Sequence, residues 1–419
     1  MPGCRGATAL PKGNPLAAIE FEWIRTDAGF QALAVEWQQL CGRARDHSLS
    51  RRFAWQWLAW TCVAAPRGCR LRLLVGRVDA RIVLILPLMQ EGIYLRFLSS
   101  EKFEYRDILV EDAAQTDVWV AAALTTMRAL PGPACLDLRD MLASSTLGSV
   151  FASLDSGGLK RIDESPVIRL DRFACWDDYA RHLPARMVAD QKRQWRRLGR
   201  LAGGFAFRVA TIDEVGPMVD WIFTHKLRWA AARGMQVGVF DSDGYRLFSK
   251  SILDEALAEG RALLCCIDGE QGVASAGFGF IHDNRFVFYA FAYDAEYAAL
   301  SPSRLLMEGV IRWCLESKLS TFDFLPGDEA YKRVWADDTL PVIDVLLPLT
   351  LAGRTRLFWS RRAVGWMARK HRLRSGYDRL PASLRSRLRE LLLADWHHVS
   401  SMHSARRLQP GQNSGADAP

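Results

Sequence analysis

The chain has 419 residues, a hydrophobic share of 49% and a formal net charge of +8. That is ample for packed cores and too apolar for a disordered chain, and no apolar run approaches the ~20 residues of a membrane-spanning helix. The charge is lopsided: Ala352 to Arg407 carries 14 Lys/Arg against 3 Asp/Glu, so the remaining body is slightly acidic and does not resemble a nucleic-acid-binding surface. The nine cysteines include no C-x-x-C pair, which implies reduced, mostly buried thiols, no metal centre and a cytoplasmic protein.

In chain order, residues 1–18 form a Pro- and Gly-containing leader. Phe21 to Cys41 predicts a strand followed by a helix, and Ser50 to Val63 a second, aromatic helix. RLRLLVGRVDARIVLILPLM from Arg70 reads as a hairpin turning at Val78 to Ala80, with IYLRFLS as a third strand. Asp117–Leu130 is a helix, ACLDL a strand, Leu142–Leu154 a helix, and RIDESPVIRL a closing strand. A second half begins at Asp171 with one or two helices bearing Lys192, Arg193, Arg196, Arg197 and Arg200 on one face. FAFRVA is a strand, and Asp213–Arg233 a long helix capped by Asp213. Asp243–Glu259 is a further helix. RALLCCI, VASAGFGFI and RFVFYAFAY form a meander, and VIDVLLPL is the last strand. Each half therefore runs helix, helix, hairpin strands, helix, strand, which suggests a structural repeat by order alone.

The stretch from Arg285 to Trp335 organises the rest. The strand RFVFYAFAY, a helix opened by Ser301-Pro302-Ser303, and the short strand TFDFL make a β-α-β unit whose strands should be parallel. The helix start and both strand ends then open on one side, where Ser301, Pro302, Ser303, Arg304 and Leu305 offer N–H groups and a guanidinium to an anion. Beyond TFDFL, Asp328, Glu329, Tyr331 and Lys332 place two carboxylates, a phenol and an amine at the same opening. His225 is a mid-helix imidazole that titrates near neutrality.

The pieces His225 with Arg228-Trp229, VASAGFGF, RFVFYAFAYDAEYAALSPSRLL and FDFLPGDEAYKRVW, in that order, resemble the acetyltransferase domain of the CelD-like (cellulose and exopolysaccharide biosynthesis) branch of the GNAT superfamily, a branch related to the FemAB aminoacyl transferases. The resemblance covers Asp171 to Leu347. It implies a mixed α/β sheet and tandem GNAT-like domains: a degenerate one at 19–170 and a catalytic one at 171–350, followed by a basic helical tail at 351–407 and a disordered end at 408–419. It implies acetyl-CoA or another acyl-CoA as co-substrate, an amine or sugar acceptor, and a setting in polysaccharide or envelope biosynthesis. In those roles Asp328 is a base or amine anchor, Tyr331 a donor to the departing thiolate, and the Phe291, Ala292 and Tyr293 backbone the holder of the thioester oxygen. The Q/R-x-x-G-x-G/A turn that grips the pyrophosphate in GNAT enzymes has no glycines here, where the stretch is Ser301 to Leu306. An acyl carrier protein or aminoacyl-tRNA therefore stays open as donor, as does a non-catalytic GNAT-fold subunit of a membrane polysaccharide synthase. The tail, mixing cations with Trp and Leu, suits either an anionic membrane surface or a packed helical appendage.

Overall fold

Alternating apolar patterns produce the strands, which run in one sheet through both halves of the chain. The computed structural model describes residues 18–99, 104–153, 158–201, 204–234, 238–327 and 329–359. Its strands are β1 (Glu20–Ile24), β2 (Arg70–Val78), β3 (Arg81–Glu91), β4 (Tyr94–Phe97), β5 (Leu109–Val110), β6 (Cys135–Leu142), β7 (Leu159–Arg169), β8 (Ala206–Val209), β9 (Ala262–Gly269), β10 (Gly272–His282), β11 (Arg285–Tyr293), β12 (Thr321–Asp323) and β13 (Asp338–Pro348). The order across the sheet is β1-β2-β3-β4-β6-β13-β7-β12-β11-β10-β9-β8, with β5 beside β3.

That order contains a repeat. From the β1 edge inward, neighbours are antiparallel until the parallel pair β4·β6, followed by antiparallel β13. From the β8 edge inward, neighbours are antiparallel until the parallel pair β11·β12, followed by antiparallel β7. The last strand of each half has crossed over: β7 pairs with β12 of the second half, and β13 with β6 of the first. The crossed strands pair with each other over nine residues, Asp338–Leu346 against Leu159–Val167. The sheet is therefore continuous across the chain midpoint.

Helices cover both faces. In the second half, Pro302–Glu316 and Ala185–Leu198 pack on one face through Leu305, Leu306, Val310, Ile311 and Leu198. On the other face lie Val215–Ala231 and Asp243–Ala258, joined there by Trp55 of the first half. The helix expected from Asp213 is instead preceded by a 3-10 turn whose capping box is Thr211 with Glu214, so threonine rather than Asp213 supplies the cap. The predicted aromatic helix from Ser50 breaks into a 3-10 turn, an α segment and a π segment ending at Ala64. The hairpin at Val78 to Ala80 turns through Asp79 (φ 49°) and Ala80 (φ 65°). Of the basic tail, residues 351–359 are described. They are helical, and Leu357 is buried beside Tyr94 and Cys135 of the first half while Phe358 and Trp359 are exposed. The rest of the tail, the C-terminal residues 408–419 and residues 1–17 of the leader lie outside the described residues.

The halves are also joined by buried charge. Glu104 of the first half forms an ion pair with His282 at the end of β10, and both side chains are almost fully buried. Burial opposes charge on the imidazole, yet Glu104, with Asp283 beside it and against Arg285, lifts its pKa from 6.5 to about 9. Because the folded value is raised, the stabilisation is complete below pH 6.5 and is lost as pH rises toward 9. Urea denaturation between pH 6.5 and pH 9 should show stability falling by about 3 kcal/mol, and Glu104→Gln should flatten that slope. An unchanged slope in the variant would show that the pair does not join the halves energetically.

Candidate active site

The site begins where two parallel strands part. β11 and β12 pair only at Arg285–Val287 against Thr321–Asp323. Three features separate them there. The Asp323 carboxylate accepts a 2.8 Å hydrogen bond from the Leu325 N–H, holding Leu325 at φ 61° and turning the chain. Phe324 N–H stays with β7, bonding the Pro166 carbonyl. β11 carries an extra residue, Tyr289, between its pairings to Phe278 and Gly279, and such a bulge bends and twists the strand. A Cβ on Gly279 would lie 2.4 Å from the Val287 carbonyl oxygen, so the position opposite the bulge requires glycine.

Beyond Val287, β11 therefore has an open edge. The Asp294 N–H bonds the Ala274 carbonyl at 3.0 Å. By alternation, Ala292 faces β10 and the N–H groups of Phe291 and Tyr293 face the gap. Ala292 is thus a correction: it is buried, and its carbonyl accepts a 2.8 Å bond from the Ser275 hydroxyl. Tyr331, on the helix Ala330–Trp335, presents its ring edge-on to Phe291 at 6.0 Å across the gap. Phe291 is stacked on Phe288 at 5.3 Å. Lys226 sits on the opposite face, with Nζ 3.5 Å from the Phe291 carbonyl and 4.6 Å above the Phe240 ring. Only its place next to His225 in the sequence pointed to Lys226 as part of this site.

The helix tip differs from expectation. Ser301 is left-handed (φ 52°) and its hydroxyl makes no cap hydrogen bond. The Arg304 and Leu305 N–H groups bond back to the Ser301 carbonyl. Pro302 has no N–H, which leaves Ser303 as the residue of the first turn with a donor clear of those bonds. Pro302 is buried, and Leu305 belongs to the core. Arg304 forms an ion pair with Asp190 of the helix Ala185–Leu198, a carboxylate that also pairs with Arg193, and the Arg304 Nε is buried without a hydrogen-bond partner. Lys332 is also a correction. It is 5% exposed, and its Nζ bonds the Leu325 and Pro326 carbonyls at 3.1 and 3.3 Å and Glu329 at 2.9 Å. Those bonds pin the turn after β12, and a Cβ on Gly327 (φ 154°) would lie 2.6 Å from that same Nζ. Asp328 lies outside the described residues.

His225 is stacked on Trp221 with ring centroids 4.1 Å apart. Burial lowers its pKa against the pull of Asp294, so the imidazole is neutral at pH 7 and able to accept a proton. Tyr331 is 37% exposed; the partial burial of its ring first and then Glu329 raise its pKa above the ordinary tyrosine value, so the phenol keeps its proton at neutral pH. No described contact joins His225 to Tyr331. Beneath the gap, Asp323 is fully buried and accepts from the Tyr105 hydroxyl (2.9 Å) of the first half and the Ser165 hydroxyl (3.1 Å) of β7, with Arg285 at 3.5 Å.

A parted parallel pair beside a helix start and a bulged strand can hold a carbonyl oxygen on backbone N–H groups and place a proton donor opposite. Residues 185–333 match the acetyltransferase (GNAT) domain family. Among solved structures, the chain is similar to FemX (TM-score 0.48, 10% identity, 74% of this chain and 95% of that one). It is also similar to a tandem GNAT protein from the clavulanic acid biosynthesis pathway (0.46, 13%, 79% and 99%). A third is the C-terminal domain of a putative lysylphosphatidylglycerol synthetase from Agrobacterium fabrum (0.47, 12%, 75% and 92%). No curated protein matches the sequence.

Within the GNAT match, Lys332 acts on the shape of the turn rather than on reacting atoms. Lys332→Met should lower stability by about 2–4 kcal/mol, because two carbonyls and a carboxylate lose their partner. Limited proteolysis should then cut near residues 325–329, and a variant as stable and as resistant as the parent would remove this role.

Proposed function

We propose that the second half transfers an acyl group from an acyl-CoA thioester, most simply acetyl-CoA, to an amine. The observation that carries this is the open edge of β11: the outward N–H groups of Phe291 and Tyr293 lie in a gap faced by the protonated phenol of Tyr331, inside the stretch that matches the GNAT family. The thioester supplies an activated carbonyl and a thiolate leaving group. The Phe291 and Tyr293 N–H groups hold the oxygen of the attacked carbonyl as it gains negative charge. Tyr331 gives its proton to the departing sulfur, and the neutral imidazole of His225 takes the proton released by the attacking amine. The acceptor enters from the face carrying His225, Lys226 and Trp229. An acceptor from polysaccharide or envelope biosynthesis is the setting that the CelD-like resemblance supports.

The open edge suits the narrow acyl and thioester part of such a donor, whereas its phosphates meet a helix tip with Ser303 N–H and an arginine already paired with Asp190. That pairing favours a second reading, in which the acyl or aminoacyl group arrives on a carrier protein or tRNA. Lys192, Arg193, Arg196, Arg197 and Arg200, all exposed on and just after the helix Ala185–Leu198, would then face the acidic carrier.

Thioester consumption across acyl-CoA chain lengths tests both. Tyr331→Phe should lower kcat about 10- to 100-fold with KM for the donor little changed. Asp190→Asn, which frees Arg304, should lower KM for acyl-CoA several-fold. No turnover with any acyl-CoA, but turnover with aminoacyl-tRNA or acyl carrier protein, would replace the first reading with the second. Turnover unaffected by Tyr331→Phe would remove the phenol from the chemistry.

A further inference from the structure

The last strand, β13, leads directly into a helix, 351–359, that the transfer reaction leaves unused. Thr350 starts it: its hydroxyl accepts the Gly353 N–H at 3.2 Å and its carbonyl the Arg354 N–H at 3.0 Å. Three residues clamp one side of this helix to the first half. Gly353 comes so close to the start of β6 that a Cβ there would lie 2.1 Å from the Ala134 carbonyl oxygen. Leu357 is buried beside Tyr94 and Cys135, and Arg356 Nε donates to the Tyr94 hydroxyl at 3.1 Å.

The outer side is apolar as well. At 3.6 residues per turn, Leu351, Thr355, Phe358 and Trp359 fall on the face turned away from Gly353 and Leu357. Leu351 is 77% exposed and Trp359 65%, and the Phe358 ring meets the Trp359 ring edge-on at 5.8 Å. A helix already packed through its inner side needs no large apolar residues on its outer side to fold, and such residues grouped in water mark a contact surface. Charge selects what the surface meets. Arg354 is exposed beside this face, and the sequence from Ala352 to Arg407 carries 14 Lys/Arg against 3 Asp/Glu, with Trp366 and Trp396 among them. The cations are strewn along that sequence without a fixed spacing. A protein partner would have to match them with acids at fixed positions. An anionic bilayer matches them in any register, because its headgroups move laterally, and it takes Trp and Leu at the headgroup boundary.

We propose that the outer face of the helix 351–359 docks on an anionic lipid bilayer. Leu351 and Trp359 enter the headgroup boundary, and the cations of the sequence that follows draw the protein to the surface. Because Gly353, Arg356 and Leu357 clamp the helix to the first half, docking holds the folded body itself against the membrane.

Flotation of the full chain with vesicles of phosphatidylcholine alone, and of phosphatidylcholine and phosphatidylglycerol in equal parts, tests this. Binding is expected to the anionic vesicles and should weaken with added salt, which screens surface charge. Leu351→Ser and Trp359→Ser, both at exposed positions, should each weaken it about 5-fold while the unfolding midpoint stays that of the parent. Val35→Ser, at a comparably exposed position of the first half, should leave binding as it was. Equal binding to both vesicle types overturns the proposal, as does binding that survives Leu351→Ser and Trp359→Ser together. So does failure to bind either type; saturable, Trp359-dependent binding to polyglutamate in its place would assign the face to an acidic protein.

Discussion

The Asp323 carboxylate is the constraint on which the site depends. It is fully buried, and burial raises its pKa even though Arg285 and the hydrogen bonds from Leu325, Tyr105 and Ser165 favour the charged form. A buried acceptor is costly unless its lone pairs are filled, and here donors from four separate elements fill them. One of those donors, the Leu325 N–H, turns the chain away from β11 two residues after pairing ends. The gap is therefore the consequence of satisfying a buried charge, and its floor is fixed by Tyr105 of the first half.

This hub explains why an isolated second half would be incomplete. β12, three residues long, is held between β11 and β7, and β7 comes from the first half of the chain. The exchange of β7 and β13 puts a strand of each half beside the parallel pair of the other. In the first half the corresponding opening is closed. Glu104 to Val110 are all buried, and β5 takes the edge of β3 at Leu84–Ile85 just past the stretch that β4 occupies. Among the described residues, two halves of the same order thus show one such gap, and the segment Glu104–Val110 supplies Tyr105 and Glu104 to the seam.

Much of this was legible in the sequence because it rests on local pattern. The meander, the β-α-β order and the aromatic strand follow from alternation and turn residues, and the parallel pairing of β11 and β12 follows from the crossover. The helix tip was misread because Ser-Pro-Ser looks like a cap, yet the backbone at Ser301 adopts a left-handed conformation that takes its hydroxyl out of reach. Arg304 and Lys332 were read as ligand-facing because a cation beside a polar loop usually is. Their partners, Asp190 some 114 residues earlier and two carbonyls of the preceding turn, are set by tertiary packing alone. Strand exchange left no local signal, since β7 and β13 have the composition of ordinary strands in either position.

A glycine-rich turn binds phosphate with backbone N–H groups that carry only partial charge, and it works because nothing else competes for them. This chain has a proline and a bonded-back first turn at that place, leaving less backbone to offer. It has instead an Arg304–Asp190 pair that links the tip to a helix with an exposed cationic face. A fully charged side chain is a stronger partner for phosphate than a peptide N–H, but only when it is not already neutralised. In the transfer reaction proposed above, donor phosphate would have to compete with Asp190 for the Arg304 guanidinium.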